Sequence, residues 1–298
     1  DKYYLVLESS ELNKEFIYFP YLLNGPQAAG AGGGAIGDAA ILEFRTFKDG
    51  LGLYKKNTKF KFDETNKISQ SKIKNIIDAF IGKFEVVIKE EEKYLISADS
   101  IFLSEMLTGI TPNIPKEYAE YIDLIVGKLD KGKTYVEKVK NYNKNTTVDT
   151  KYSFFNPRPK PASIDAVTDP RYTYISVRHL FVEMPDDDFK PRVADQRVGY
   201  FSSKITDLSS YEYVTAVDVI NRWRLEKKDP SAELSEPVKP IVYWVENSTP
   251  AEIVPFVVKG IEAWNEAFEK AGFKNAVVAK IQPDDAEWDA GDVEYNVV

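Results

Sequence analysis

Two different periodicities divide this chain and limit what it can fold into. Up to about residue 228 the apolar residues come in short β-branched and aromatic runs separated by turn signals, while beyond Glu236-Pro237 a single strand–helix–strand pattern takes over. Tyr3 to Leu7, Phe16 to Phe19, Ile41 to Phe47 and Leu51 to Tyr54 are such runs, the last two joined by the turn pair Asp49-Gly50. They predict strands. Phe84 to Ile88 and Tyr94 to Ile96 predict two more, with Glu90-Glu91-Glu92 as a charged hairpin tip. Tyr135 to Tyr142 and Tyr174 to Glu183 alternate clearly. Helical spacing occurs at Ile73, Ile76, Ile77 and Phe80, which predicts a helix over 71–81, and again at Tyr118, Tyr121, Ile122 and Ile125. Asn221-Arg222-Trp223-Arg224-Leu225 predicts a strand with two cations on one face. The fold class expected is α+β: a β-rich region over 1–228, with an internal break near 110–160, and then a separate module over 237–298.

In that module Ile241 to Val245 is a strand and Thr249-Pro250-Ala251-Glu252 is a capping box, although Pro255 could move the helix onset to itself. Val257, Ile261, Trp264 and Phe268 form one stripe, Gly272 stands where a glycine cap belongs, and Ala276 to Ala279 is the next strand. A third strand starts at Glu294, and the expectation is that its sheet continues beyond Val298. Charge follows the same division. Residues 229–298 carry 14 Asp and Glu against 5 Lys, and the remainder holds 33 acidic against 34 basic residues. A net charge of -8 without a basic stripe argues against nucleic acid. No run reaches the roughly 18 apolar residues of a membrane helix. No charged n-region and apolar h-region open the chain at Asp1, so any export signal is expected to have been removed or left out.

With no Cys and one His, the chain by itself lacks the ligands of a zinc site and leaves His179 as the one candidate base for a serine or cysteine triad. His179 shares a strand face with Ile175, Val177 and Phe181, which favours a packed, hydrogen-bonded core histidine. Gly32-Gly33-Gly34-Ala35-Ile36-Gly37 fits a dinucleotide-binding pattern on paper, but a strand follows where a helix would have to, so it reads as a flexible loop. Asp186-Asp187-Asp188 and the group Asp284, Asp285, Glu287, Asp289 and Asp292 lack the EF-hand glycine and glutamate and read as solvated acidic turns. Asn145-Thr146-Thr147 and Asn247-Ser248-Thr249 are glycosylation triplets of the kind that occur by chance. Ala194 to Phe201 reads as a turn into an aromatic strand, with Arg197 able to pair with Asp195. The residues read alone predict no catalytic, cofactor-binding or metal-binding position.

Four strings occur in a telling order: Pro185 to Phe201 (PDDDFKPRVADQRVGYF), Asn221 to Leu225, Glu236 to Trp244, and Trp264 to Phe273 (WNEAFEKAGF). This arrangement resembles large bacterial zinc-dependent metalloproteases of the metzincin-like type, whose N-terminal region carries domains of unknown function. The likeness is strongest from Phe181 onward, and Asp195-Gln196 stands where a typical member has Asp-Pro. In that family two histidines one turn apart and a third histidine hold zinc, and a glutamate activates its water. No such string is present. The resemblance therefore implies the N-terminal portion of a secreted, periplasmic or cell-envelope peptidase, with zinc in the full-length enzyme and none in this chain. Its implied partners are the remainder of its own catalytic domain and a peptide or protein substrate. The alternative is a non-catalytic exported binding or scaffold module; a narrower one makes the N-terminal region an inhibitory prosegment acting without a thiol.

Overall fold

The computed structural model describes residues 2–63, 65–111, 124–160, 163–185, 188–209 and 216–298. The fold is β-rich α+β, 40% strand and 12% helix. The chain forms two compact units, Asp1–Pro185 with Asp207–Tyr213, and Asp186–Thr206 with Val214–Val298. Residues 188–206 and 216–228, grouped by the sequence reading with the N-terminal region, thus belong to the second unit. The expected helix around Tyr118 to Ile122, and Asp186 and Asp187, lie outside the described residues.

In the first unit the elements run β1 (Tyr4–Glu8), β2 (Glu15–Asn24), β3 (Ala40–Phe47), β4 (Gly50–Lys55), β5 (Phe60–Lys61), α1 (Lys67–Lys72), β6 (Ala79–Phe84), β7 (Val86–Glu90), β8 (Lys93–Ser97), α2 (Asp99–Phe102), β9 (Lys128–Leu129), β10 (Tyr135–Asn141), β11 (Asn145–Phe155) and β12 (Tyr172–Glu183). Among the described residues, eight strands make one curled antiparallel sheet in the order β10-β11-β12-β2-β3-β4-β6, with β9 pairing the end of β11. A smaller sheet, β1-β8-β7, packs on it. The charged tip expected at Glu90 to Glu92 is the β7–β8 turn, and Glu91 takes the positive φ of 49°.

Strand alternation sends one set of side chains to a common core. Tyr18, Leu42, Phe44, Leu51, Leu53 and Phe84 meet Leu7, Ile96, Ile101 and Phe102; farther along the same sheet, Tyr152, Phe154, Ile175 and Val177 meet Ala29, Ala31, Ile110, Leu124 and Val126. Each large side chain buried this way contributes about 1.5–3 kcal/mol. The other face is polar. Asp149, Arg178 and Tyr21 stand directly opposite one another on β11, β12 and β2. Arg178 donates to both Asp149 carboxylate oxygens at 2.6 Å and to the Tyr21 hydroxyl at 3.0 Å. On β3, Arg45 similarly bridges Glu43 and Asp78.

The helix expected over 71–81 is not formed as such. The helical part is α1, whose first turn is capped by the Asn66 side chain accepting from the Ile68 amide, followed by a short 3-10 turn over Ile73–Asn75. Phe80 instead lies on β6, where it packs with Phe47 and Tyr54. These rings close over Gly52: a Cβ there would come within 2.9 Å of Tyr54 and 3.0 Å of Phe80. An aromatic cover for a glycine in the sheet outweighs a helical face whose members Ile73 and Ile77 are exposed.

The second unit holds β13 (Ser202–Asp207), β14 (Ala216–Ile220), β15 (Ile241–Val245), α3 (Val254–Glu262), α4 (Asn265–Lys270), β16 (Val277–Ile281) and β17 (Asn296–Val297). β13 and β14 form an antiparallel pair. β15 is central to a parallel sheet, with β16 on one side and β17 on the other. The capping box does not start the helix. Pro250 to Ile253 form a turn, and α3 starts at Val254 with Pro255 in its first turn, where a missing amide costs nothing. Gly272, with φ 90°, ends α4 as expected, and the Phe273 amide donates to the Phe268 carbonyl at 2.9 Å. Ile261 and Phe268 pack against Ile241 and Val277, but Trp264, expected in the same stripe, is 65% exposed. Residues 221–225 form no strand. Arg222 lies over the Phe189 ring and donates to the Lys190 carbonyl, while Arg224 pairs with Asp188 and Glu226. The two cations do share a side, bound to the segment 188–190.

Removing one partner of the Asp149–Arg178 pair strands a buried charge. Asp149→Ala is expected to destabilise the first unit by roughly 3–5 kcal/mol. Replacing both residues with apolar ones of similar volume should cost far less, as measured by urea unfolding followed by far-UV circular dichroism.

Candidate functional site

The chain's one histidine lies at the centre of its largest sheet. β12 places His179 opposite Pro20 of β2 and Val148 of β11, pointing into the core. Two tyrosines on those neighbouring strands reach its two ring nitrogens. The Tyr18 hydroxyl is 2.9 Å from Nδ1 and the Tyr152 hydroxyl is 2.8 Å from Nε2. The Tyr18 ring also stacks on the imidazole, and Phe102 meets it edge-on. His179 is 1% exposed, and burial lowers its pKa to about 3. Burial also raises both tyrosine pKa values, Tyr18 further pushed by Tyr152.

A neutral imidazole donates from one nitrogen and accepts at the other, so the two tyrosines have opposite roles. Thr150, two residues before Tyr152 on the same face of β11, has the one buried side-chain oxygen among the described residues without a hydrogen-bond partner. The two tyrosines and the imidazole form one hydrogen-bonded row across β2, β12 and β11. Such a row fixes three strands in register. It offers no solvent-accessible base, and no carboxylate orients the imidazole for one.

The remaining sequence candidates do not gather around it. The glycine string folds back along β2, the amides of Gly34 and Gly37 donating to the Leu22 and Pro20 carbonyls and Leu22 donating to Ala35, each at 2.8 Å; β3 then follows. The string walls an apolar slot of about 220 Å³ lined by Pro20, Leu22, Ile36, Ile110, Ile175 and Val177, without a charged side chain. Arg197 pairs with Asp195 at 2.6 Å, which lowers the exposed Asp195 pKa to about 2. Asn145 is buried at the start of β11, whereas Asn247 is exposed in the turn after β15. Among the described residues no group of three or more His, Cys, Asp or Glu is placed to hold a metal ion, and no helix is long and apolar enough to cross a membrane. Sequence reasoning missed β11, and with it Thr150 and Tyr152. The period-two run Val148, Thr150, Tyr152, Phe154 carries the signal.

The family described as Domain of unknown function (DUF5117) matches residues 33–228. The chain belongs to this family. No curated protein and no solved structure matches it. The DUF5117 match takes in Tyr152 and His179 but begins after Tyr18, so the hydrogen-bonded row crosses its N-terminal limit. It ends ahead of β15, leaving the parallel unit outside.

The His179 environment sets a sign for pH dependence. Its folded pKa of about 3 lies below the unfolded value of about 6.5. The unfolded state therefore takes up the proton first as pH falls. Stability from the neutral form is complete above about pH 6.5 and declines toward pH 3, by at most about 1.4 kcal/mol per pH unit. Because the chain has one histidine, the upper part of that window, above the carboxylate range, belongs to it alone. In DUF5117 protein unfolded by urea at pH 6.5 and 5, far-UV circular dichroism should show this slope, and His179→Leu should abolish it.

Proposed function

We propose that this chain is the non-catalytic N-terminal part of an exported zinc-dependent metallopeptidase, comprising the accessory region and the opening β-α-β unit of the peptidase domain. The observation that carries the reading is the parallel unit itself, formed by two of the strings that resemble metzincin-like proteases. Glu236 to Trp244 leads into β15, and Trp264 to Phe273 forms the second half of the helix layer. β17 adds to β15 on the side away from β16, through Tyr243–Asn296 and Trp244–Val297, so the sheet grows outward from its first strand. Parallel sheets are covered on both faces. Here α3 and α4 cover one, and Trp244, Trp288 and Tyr295 pack over the other, the last two rings parallel at 3.9 Å.

The chain's chemistry fits a supporting role. Its histidine is enclosed by Tyr18 and Tyr152, and among the described residues no group of three or more His, Cys, Asp or Glu is placed to hold a metal ion. In the full enzyme the metal would supply an activated water for peptide hydrolysis; the residues described here hold the sheet on which such a site is built. A non-catalytic binding module is the competing reading.

The test uses the natural gene product translated past Val298. It should carry stoichiometric zinc and cleave a labelled, denatured protein in a chelator-sensitive way, while residues 1–298 alone do neither. A gene product without zinc or proteolysis, or cleavage by residues 1–298 alone, overturns the proposal.

A further inference from the structure

The helix layer of the second unit is apolar on two sides. α3 passes into α4 through a tight turn at Ala263 and Trp264, both in right-handed helical geometry, with the Ala263 amide bonded to Lys259, the Trp264 amide to Ile261 and the Phe268 amide to Trp264. The inner side is anchored. Ile261 and Phe268 pack on the sheet, and the Asn265 side chain both accepts from and donates to the Val277 backbone at 3.0 and 2.8 Å. The outer side leaves Phe256 76%, Trp264 65% and Ile253 47% exposed. Beside them, Ala263, Trp264, Glu266, Ala267 and Lys270 line a shallow depression of about 380 Å³.

The spacing of this outer stripe is symmetric about Gly260. Phe256 and Trp264 lie four residues before and after it, and Ile253 and Ala267 lie seven before and after. All five fall within one face at 100° per residue. A side chain at Gly260 would meet nothing within 4 Å, so a second backbone can approach there. Two copies crossing antiparallel at Gly260 would set Phe256 of each against Trp264 of the other, and Ile253 of each against the small Ala267. Glu252 of each copy would then stand within about one residue pair's rise, roughly 3 Å, of Lys270 of the other. Lys270 is 80% exposed and now lies 3.6 Å from Glu266, an exposed pair that exchanges readily. Lys259, the charge nearest the crossing, has Glu262 three residues on. Aromatic meets aromatic, Ile253 meets the small Ala267, and acid meets base, under a single twofold operation.

We infer that this face binds a second copy of the chain, forming an antiparallel helix pair centred on Gly260. The inference does not depend on the peptidase reading. Sedimentation equilibrium of the 298-residue chain should show a monomer–dimer equilibrium. Phe256→Ser and Trp264→Ser should each weaken it roughly tenfold or more, as expected of central aromatic contacts, with unchanged circular dichroism. Glu252→Lys should also weaken it, and combining it with Lys270→Glu should restore association. A chain that stays monomeric at every concentration overturns the inference, as does a dimer indifferent to the two aromatic substitutions.

Discussion

The hydrogen-bonded row Tyr18–His179–Tyr152 is the constraint around which the first unit is arranged. It joins β2, β12 and β11 inside the core, where a lost partner leaves a polar group that water cannot reach. A slip of one residue in either pairing would turn the tyrosine to the other face and leave a ring nitrogen unpaired. The opposite face repeats the arrangement with different chemistry, since Asp149, Arg178 and Tyr21 span the same three strands. Register is thus specified twice, by a neutral row within and an ionic row without. Burial and the two tyrosine partners leave neither ring nitrogen of the chain's one imidazole within reach of solvent.

Local pattern was sufficient where a segment's neighbours agree with it. The alternation around His179 placed it on a buried face with Ile175 and Val177, and Gly272 ended its helix because only a positive φ fits there. Pattern failed where a distant partner decides. Phe80 belongs to a helical period in sequence but fills the space above Gly52 on a strand formed thirty residues earlier. Arg222 and Arg224 alternate as in a strand, yet Phe189, Lys190 and Asp188 hold them in an irregular segment. β11 is legible only as a period-two row, because Asp149, Lys151 and Ser153 separate its core residues and Thr150 makes that row partly polar. The row built on Tyr152 could not be foreseen without that strand.

The second unit shows the opposite balance. Its strand–helix–strand order was legible from periodicity alone, because parallel pairing and a crossover helix impose strong local patterns. The position of Trp264 was not. A single apolar stripe of spacing four, three and four includes it, but the inner face is already filled by Ile261, Asn265 and Phe268, and the ring points outward. Helical spacing says that an apolar face exists; only packing says which of two faces a residue serves.

Since the chain has one histidine, long-range nitrogen–proton NMR of labelled protein gives one imidazole pattern and tests the account directly. The account predicts a single neutral imidazole, unchanged as pH falls from about 7 to 5. A ring that titrates near its ordinary pKa of about 6.5 would contradict it.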